Sequence, residues 1–289
     1  MKKIEKKAYA KVNLALDVLR KRPDGYHDVK MIMQNLSLCD ELTFSVDENT
    51  TEGIISISTN KESVPTDERN LIYKAIKLMY ETYGLHNNIS VKLIKNIPVE
   101  AGMAGGSTDC AAAIKAVNEL FDLKLSIKKM QEIGVKLGAD VPFCILGKTA
   151  VSEGIGEILT EIPGLKECYV LVAKPSISVS TAFVYKNLKA DEIKVHPDVD
   201  GMAQALKNND LSEICKRMSN VLETVTACSH PEIIIIENVM KNNGAINSIM
   251  SGSGPTVFGI FDSKEQCEKT AKIIRDEKLA NEVYVTVPV

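Results

Sequence analysis

Residues 9–18 alternate between apolar and polar positions, with Val12, Leu14, Leu16 and Val18 on one face and Lys11, Asn13 and Asp17 on the other. A period of two predicts a strand and makes Lys11 and Asn13 neighbours on one face. Arg22-Pro23-Asp24-Gly25 predicts a turn, because proline presets φ and Asp-Gly supports the reversal. Tyr26 and His27 follow it directly. Apolar segments at 36–38, 42–46 and 54–57 predict further strands. From Asn70 to Tyr83 the stripe Leu71, Ala75, Leu78 and Met79 predicts a helix, with Gly84 as its stop. Residues 89–94 return to a strand, and after Asp109 the stripe Ala113, Ala116, Val117, Leu120 and Phe121 predicts a helix with Lys115 and Glu119 on its exposed side.

Ser126 caps a further helical pattern bearing Ile127, Met130, Ile133 and Leu137, which Gly138 ends. Ala139-Asp140-Val141-Pro142 comes next. Proline biases its predecessor away from the helix, which places Asp140 at a helix-to-extended junction. Further on, residues 169–173 predict a buried strand, 181–185 open another element, and roughly 197–228 carry long helices. Pro231 starts a helix that Gly244 closes. Strand patterns at 246–250 and 256–261 flank Ser251-Gly252-Ser253-Gly254-Pro255. Ser263 and Gln266 form a capping box for a helix to about Lys278, and 282–287 form a last strand. The pattern predicts two mixed α/β halves meeting near 150–160, without repeats or low-complexity segments.

A chain of 289 residues with 45% hydrophobic and 25% charged positions is that of a globular protein with a substantial core. The net charge of −3 gives no footprint for nucleic acid. No apolar run approaches the length of a membrane span, and the lysine-rich start lacks an apolar segment behind it, so the expected location is the cytoplasm. The seven cysteines show no C-x-x-C pairing and read as reduced, mostly buried thiols. The four histidines show no metal-ligand spacing, so no protein-held metal site is expected.

The chemistry concentrates in Pro98-Val99-Glu100-Ala101-Gly102-Met103-Ala104-Gly105-Gly106-Ser107-Thr108-Asp109. A backbone nearly free of side-chain bulk, leading into a helix, lets peptide N–H groups and the positive dipole end meet a phosphate. A glycine-rich turn before a Ser or Thr N-cap also opens ordinary helices, so the loop alone leaves both readings open. It matches neither the P-loop, the protein-kinase glycine loop nor the dinucleotide fingerprint. Phosphoryl transfer would further need a cation and a carboxylate at the attacking hydroxyl, for which Lys11 and Asp140 are of the right type. Spacing alone does not bring these two together.

Taken in order, Ala10-Lys11-Val12-Asn13-Leu14, the glycine loop and Ser251-Gly252-Ser253-Gly254-Pro255 resemble the three motifs of the GHMP kinase superfamily. The resemblance implies an α+β fold of two domains. A ribosomal-protein-S5-domain-2-like ATP-binding domain would span 1–155 and a ferredoxin-like domain 156–289, with the active site in the cleft between them. It also implies ATP and Mg2+, with Pro98, Val99, Glu100, Ala101, Gly102, Met103, Ala104, Gly105, Gly106, Ser107 and Thr108 around the phosphates and Asn70 and Lys95 near the nucleotide. Ser107 would offer its hydroxyl toward phosphate or Mg2+.

Within the superfamily, Arg22-Pro23-Asp24-Gly25-Tyr26-His27 and Leu137-Gly138-Ala139-Asp140-Val141-Pro142 resemble those of a kinase for the 2-hydroxyl of a cytidyl-diphosphate polyol in the non-mevalonate isoprenoid route. Asp140 would take the proton beside Lys11, Tyr26 and His27 would hold the cytidine with Tyr185 opposing, Thr181 would lie near the diphosphate and Asn13 near the polyol. Partners are then a small molecule, no nucleic acid and no membrane, with a monomer or homodimer as the working form. Met103, Ala104, Thr108 and Cys110 depart from the common pattern by small or near-isosteric changes. A homoserine or mevalonate kinase is the alternative enzyme, and a non-catalytic nucleotide-binding module the alternative outside enzymes.

Overall fold

The computed structural model describes residues 1–289, and the chain divides into two compact units that interleave along the sequence. One comprises Met1–Ala10, Cys39–Val99 and Ala104–Gly147; the other comprises Lys11–Leu38, Glu100–Met103 and Lys148–Val289. The long strands β1 (Lys2–Lys21) and β2 (His27–Asp47) pass through both units. Two separate apolar segments at 36–38 and 42–46 are thus parts of one strand. Every residue of β1 from position 10 to 18 is buried, including the polar Lys11, Asn13 and Asp17. Its alternation therefore separates two buried faces, not a core face from a solvated one.

The first unit adds β3 (Ile55–Thr59), α1 (Leu71–Tyr83), β4 (Asn88–Ile94), α2 (Gly105–Leu120), α3 (Ile127–Gly134) and α4 (Val141–Leu146). The later half of β2 runs antiparallel to β4, from Glu41 opposite Ile94 to Asp47 opposite Asn88, while β3 lies parallel on the far side of β4. Strand β4 buries Ile89, Val91 and Leu93, as its period requires. Helix α1 packs on α2, and α2 on α4, around fully buried Phe44, Ile72, Ile76, Met79 and Phe143. Side chains of this size each contribute about 1.5–3 kcal/mol on burial. Asn70 caps α1 by accepting the Ile72 N–H at 2.8 Å, and Gly84 ends it at φ 64°. Ser126 caps α3 through the Lys129 N–H at 3.2 Å.

Two local expectations change. Helix α2 begins at Gly105, before Ser107 and Thr108, and Ala104 precedes it in the left-handed region without a side-chain cap. Asp140 leads not into a strand but into α4, where Pro142 lies in the first turn. Proline is tolerated there because a first-turn N–H has no intrahelical acceptor to lose.

The second unit contains β5 (Ala150–Gly154), β6 (Ile158–Glu161), β7 (Tyr169–Lys174), α5 (Thr181–Asn187), α6 (Val199–Lys207), α7 (Leu211–Lys216), β8 (Ser219–Asn220) and α8 (Glu223–Ser229). It continues through α9 (Glu232–Asn242), β9 (Asn247–Met250), β10 (Val257–Phe261), α10 (Lys264–Asp276) and β11 (Glu282–Thr286). The long helices expected over 197–228 are three short ones. Asn209 at φ 53° and the Asp210 cap on the Glu213 N–H break the first from the second, and β8 separates the third. The early part of β2 pairs with β5 and β5 with β6, while β1 takes β8 in parallel at Ala15 opposite Ser219.

A four-stranded antiparallel sheet runs β11-β7-β10-β9, with α9 and α10 packed on it. Last strand, first, third, second, with a helix in each crossover, is the order of a ferredoxin-like split βαβ domain. No helix in the chain is long and apolar enough to cross a membrane.

Candidate active site

In the second unit, β1 carries Lys11 and Asn13 two residues apart on one face, and the Lys11 ammonium donates to Asn13 Oδ1 at 2.6 Å. The Asn13 amide in turn reaches Met31 Sδ at 3.2 Å. Lys11 is 4% exposed and Asn13 fully buried, so both side chains are held in fixed directions. The segment Glu100, Ala101, Gly102 and Met103 lies beside them, with the Lys11 N–H donating to the Met103 carbonyl at 3.2 Å. Gly102, at φ 68°, is clasped by the loop after β9. The Ser251 hydroxyl donates to its carbonyl at 3.1 Å, and a Cβ on Gly102 would sit 2.4 Å from the Ser251 carbonyl oxygen. Only glycine fits that approach.

The clasping loop is itself braced. The buried Asn220 donates to the carbonyls of Met250 and Gly252, both at 2.8 Å, and Thr226 donates to the Ser253 carbonyl at 3.2 Å. The Thr181 hydroxyl pairs with the Ser253 hydroxyl at 2.8 Å. His27 meets Tyr185 with ring centroids 5.2 Å apart and planes tilted by 40°. A flat ligand would stack against this pair or part it. Burial, reinforced by Lys21, lowers the His27 pKa, so its imidazole is neutral at physiological pH. Tyr26 is 58% exposed beside it, its N–H held by Asp24 at 3.1 Å.

In the first unit, Pro98 and Val99 leave β4, and Ala104, Gly105, Gly106, Ser107 and Thr108 open α2. The Ala104 carbonyl accepts from the Thr108 N–H at 2.9 Å, which leaves the amides of residues 105–107 at the first turn without intrahelical acceptors. An uncapped helix start of small residues is an anion-binding end. Ser107 Oγ lies 3.9 Å from the Cβ position of Gly138, two residues before Asp140, which is half-buried at the start of α4.

Asn70 and Lys95 are occupied by the protein itself. Asn70 caps α1 and donates to the Pro65 carbonyl at 2.6 Å. Lys95 Nζ binds Asp40 Oδ2 at 2.5 Å and Asp109 Oδ2 at 2.6 Å, all three side chains being buried. Burial pulls the Lys95 pKa down, but Asp109 and Asp40 outweigh it and hold the ammonium charged. Burial pushes the Asp109 carboxyl up, against the pull of Lys95.

Residues 70–148 match the GHMP kinases N terminal domain, and residues 202–280 match GHMP kinases C terminal. The chain is 51% identical to 4-diphosphocytidyl-2-C-methyl-D-erythritol kinase of Lachnoclostridium phytofermentans, over 92% of this chain and 90% of that protein. The chain belongs to the 4-diphosphocytidyl-2-C-methyl-D-erythritol kinase family of GHMP kinases. A second member of the family, from Lachnospira eligens, is 46% identical over 99% of this chain and 98% of its own length.

A crystal structure of 4-(cytidine 5'-diphospho)-2C-methyl-D-erythritol kinase superposes with a TM-score of 0.82 at 27% identity, covering 99% of each chain. The homoserine kinase of Cytophaga hutchinsonii shares the GHMP fold at a TM-score of 0.80 and 21% identity, over all of this chain and 96% of that one. The chain is thus a GHMP-family kinase, which uses ATP, with the expected two-part α+β fold.

The sequence reading of this GHMP kinase did not reach Asn220, Asp40 or the contact of Ser251 with Gly102. Asn220 lies 32 positions from the Gly252 carbonyl it holds, and Asp40 lies 55 from Lys95. Lone polar residues at such separations carry no periodic signal.

Proposed function

We infer that this chain phosphorylates the 2-hydroxyl of 4-diphosphocytidyl-2-C-methyl-D-erythritol, using ATP and releasing ADP and the 2-phosphate, in the non-mevalonate route to isoprenoid precursors. The carrying observation is the 51% identity to a protein of that name across nearly the whole chain. In this reading residues 1–155 form the ATP-binding domain and 156–289 the C-terminal one. The loop from Pro98 to Thr108 wraps the triphosphate, and the uncapped first turn of α2 supports that role. Bare N–H groups and the Ser107 hydroxyl suit a triphosphate that brings its own metal. Mg2+ would neutralise charge on the transferring phosphoryl group.

The other residues have roles that follow from their chemistry. Asp140 accepts the proton of the attacking hydroxyl, and the Lys11 ammonium favours the ionised state of both carboxylate and nascent alkoxide. Asn13, polarised by its bond to Lys11, presents its amide to the polyol. His27, neutral and packed on Tyr185, offers a stacking surface and a ring nitrogen to cytosine, with Tyr26 alongside. Thr181, fixed by Ser253, faces the diphosphate. The partner is a small molecule and not a nucleic acid, and the working form is a monomer or homodimer.

The test measures ADP release from ATP-Mg2+ with the cytidyl substrate, mevalonate or homoserine as acceptor. Turnover is expected with the cytidyl compound alone. The Asp140→Asn variant serves as the blank, losing about 10²–10⁴-fold while still binding ATP. Turnover with mevalonate or homoserine and none with the cytidyl compound would overturn the assignment.

A further inference from the structure

We propose that the buried chain Asp40–Lys95–Asp109 sets the position of the α2 start and thereby the affinity for nucleotide phosphates, with Lys95 a positioning residue that does not itself hold the nucleotide. The inference rests on the reading of α2 as the phosphate-binding helix. Its three members come from three places in the fold: Asp40 from β2, Lys95 directly after β4, and Asp109 from the second turn of α2. Lys95 and Asp109 are each 4% exposed, and Asp40 is fully buried.

Each contact has a direction. Asp40 Oδ1 accepts the N–H groups of Asn96 at 2.6 Å and Ile97 at 2.8 Å, which pins the chain as it leaves β4 toward the glycine loop. Its other oxygen accepts from Lys95, and Lys95 passes the constraint to Asp109 on the helix. The helix start rests on the same ammonium: a Cβ on Gly105 would lie 3.0 Å from Lys95 Nζ and 3.2 Å from Ile97 Cγ2. Both ends of the glycine loop are therefore referred to one buried nitrogen. Two of its three donors are already committed to carboxylates, so a direct nucleotide contact would compete with charge-assisted bonds of 2.5–2.6 Å.

Stability alone does not call for this arrangement. Burying three ionisable groups is expensive, and an apolar trio of similar volume would stabilise the fold at least as well. Charged hydrogen bonds do, however, fix distances and angles that apolar packing leaves loose. Geometry matters here because a misplacement of about 1 Å between phosphate and donors can reduce a rate about a hundredfold.

A double-variant cycle on ATP affinity, read by calorimetry and as KM against kcat, separates positioning from contact. Asp109→Asn keeps an oxygen that accepts from Lys95, so ATP affinity should stay within about threefold of wild type. Asp109→Leu cuts the tether while leaving Lys95 in place, and should weaken ATP binding about tenfold or more, with the KM for the cytidyl substrate within about twofold. Lys95→Met should match it, and the double variant should be no worse than either single one. Thermal midpoints show whether each variant is folded; should Lys95→Met fail to fold, the two Asp109 variants decide. Wild-type ATP affinity in Asp109→Leu, or penalties that add in the double variant, would overturn the positioning role. Absence of ATP binding to the wild type would overturn the functional reading along with it.

Discussion

His27 is buried, at 8% exposed, and its ring is packed 5.2 Å from that of Tyr185. Burial holds its pKa below the ordinary 6.5, so between the two values the unfolded chain binds the extra proton. Stability must therefore fall as pH drops through about 6.5 toward the lower folded value. The same neutrality leaves one ring nitrogen as an acceptor and one as a donor, which suits the edge of a cytosine. Base–aromatic stacking contributes about 1–3 kcal/mol. His27→Ala is accordingly expected to raise the KM for the cytidyl substrate by about five- to a hundredfold, with the KM for ATP unchanged, as steady-state kinetics with each substrate varied would show. An equal rise in both constants would move His27 out of the nucleobase site.

Among the elements, the clasp between Glu100–Met103 and the loop after β9 is the most demanding piece of backbone. Gly102 and Gly252 both take positive φ, at 68° and 57°, and a Cβ on Gly252 would meet the Gly102 carbonyl at 3.0 Å. Gly102→Ala is expected to lower stability by about 1–3 kcal/mol and to weaken ATP binding, since the loop cannot close on Ser251. Gly106→Ala is the control. Its φ is ordinary and its Cβ would find only Leu71 Cδ1 at 3.5 Å, so the thermal midpoint should hold.

The legibility of elements in the sequence followed the same physics. The caps at Ser126 and Ser263 were readable because the bond is local: each side chain serves an amide three residues on. Helix α4 was not, because Val141-Pro142 reads as a break unless the first turn is already known. The full length of β1 and β2 was hidden for another reason. A strand buried on both faces, as β1 is from position 10 to 18, loses the contrast that marks its ends. At the candidate site, the glycine loop announced itself through its composition, whereas Asp40 and Asn220 act across distances that no local pattern encodes.

On the scale of the whole chain, the distribution of thiols offers a direct test of cooperativity. None of the seven cysteines is in a disulfide. Cys110 and Cys144 are buried in the first unit, and Cys168, Cys215 and Cys267 in the second, while Cys39 is partly covered and Cys228 exposed. Burial pushes the thiols of Cys168, Cys215 and Cys267 up, to about 11, 12 and 12, which keeps them as unreactive thiols at neutral pH. Alkylation of the native protein at pH 7.5 should therefore label Cys228 first, Cys39 slowly, and the other five only after opening. Because β1 crosses from one unit to the other between Ala10 and Lys11, and β2 between Leu38 and Cys39, opening either unit gives up part of both strands. Peptide mass mapping across a urea series should then show the five buried thiols of both units becoming reactive at one common midpoint, the signature of a single cooperative transition. Separate midpoints for Cys110 and Cys144 against Cys168, Cys215 and Cys267 would mean that the continuous strands do not bind the two units into one folding unit.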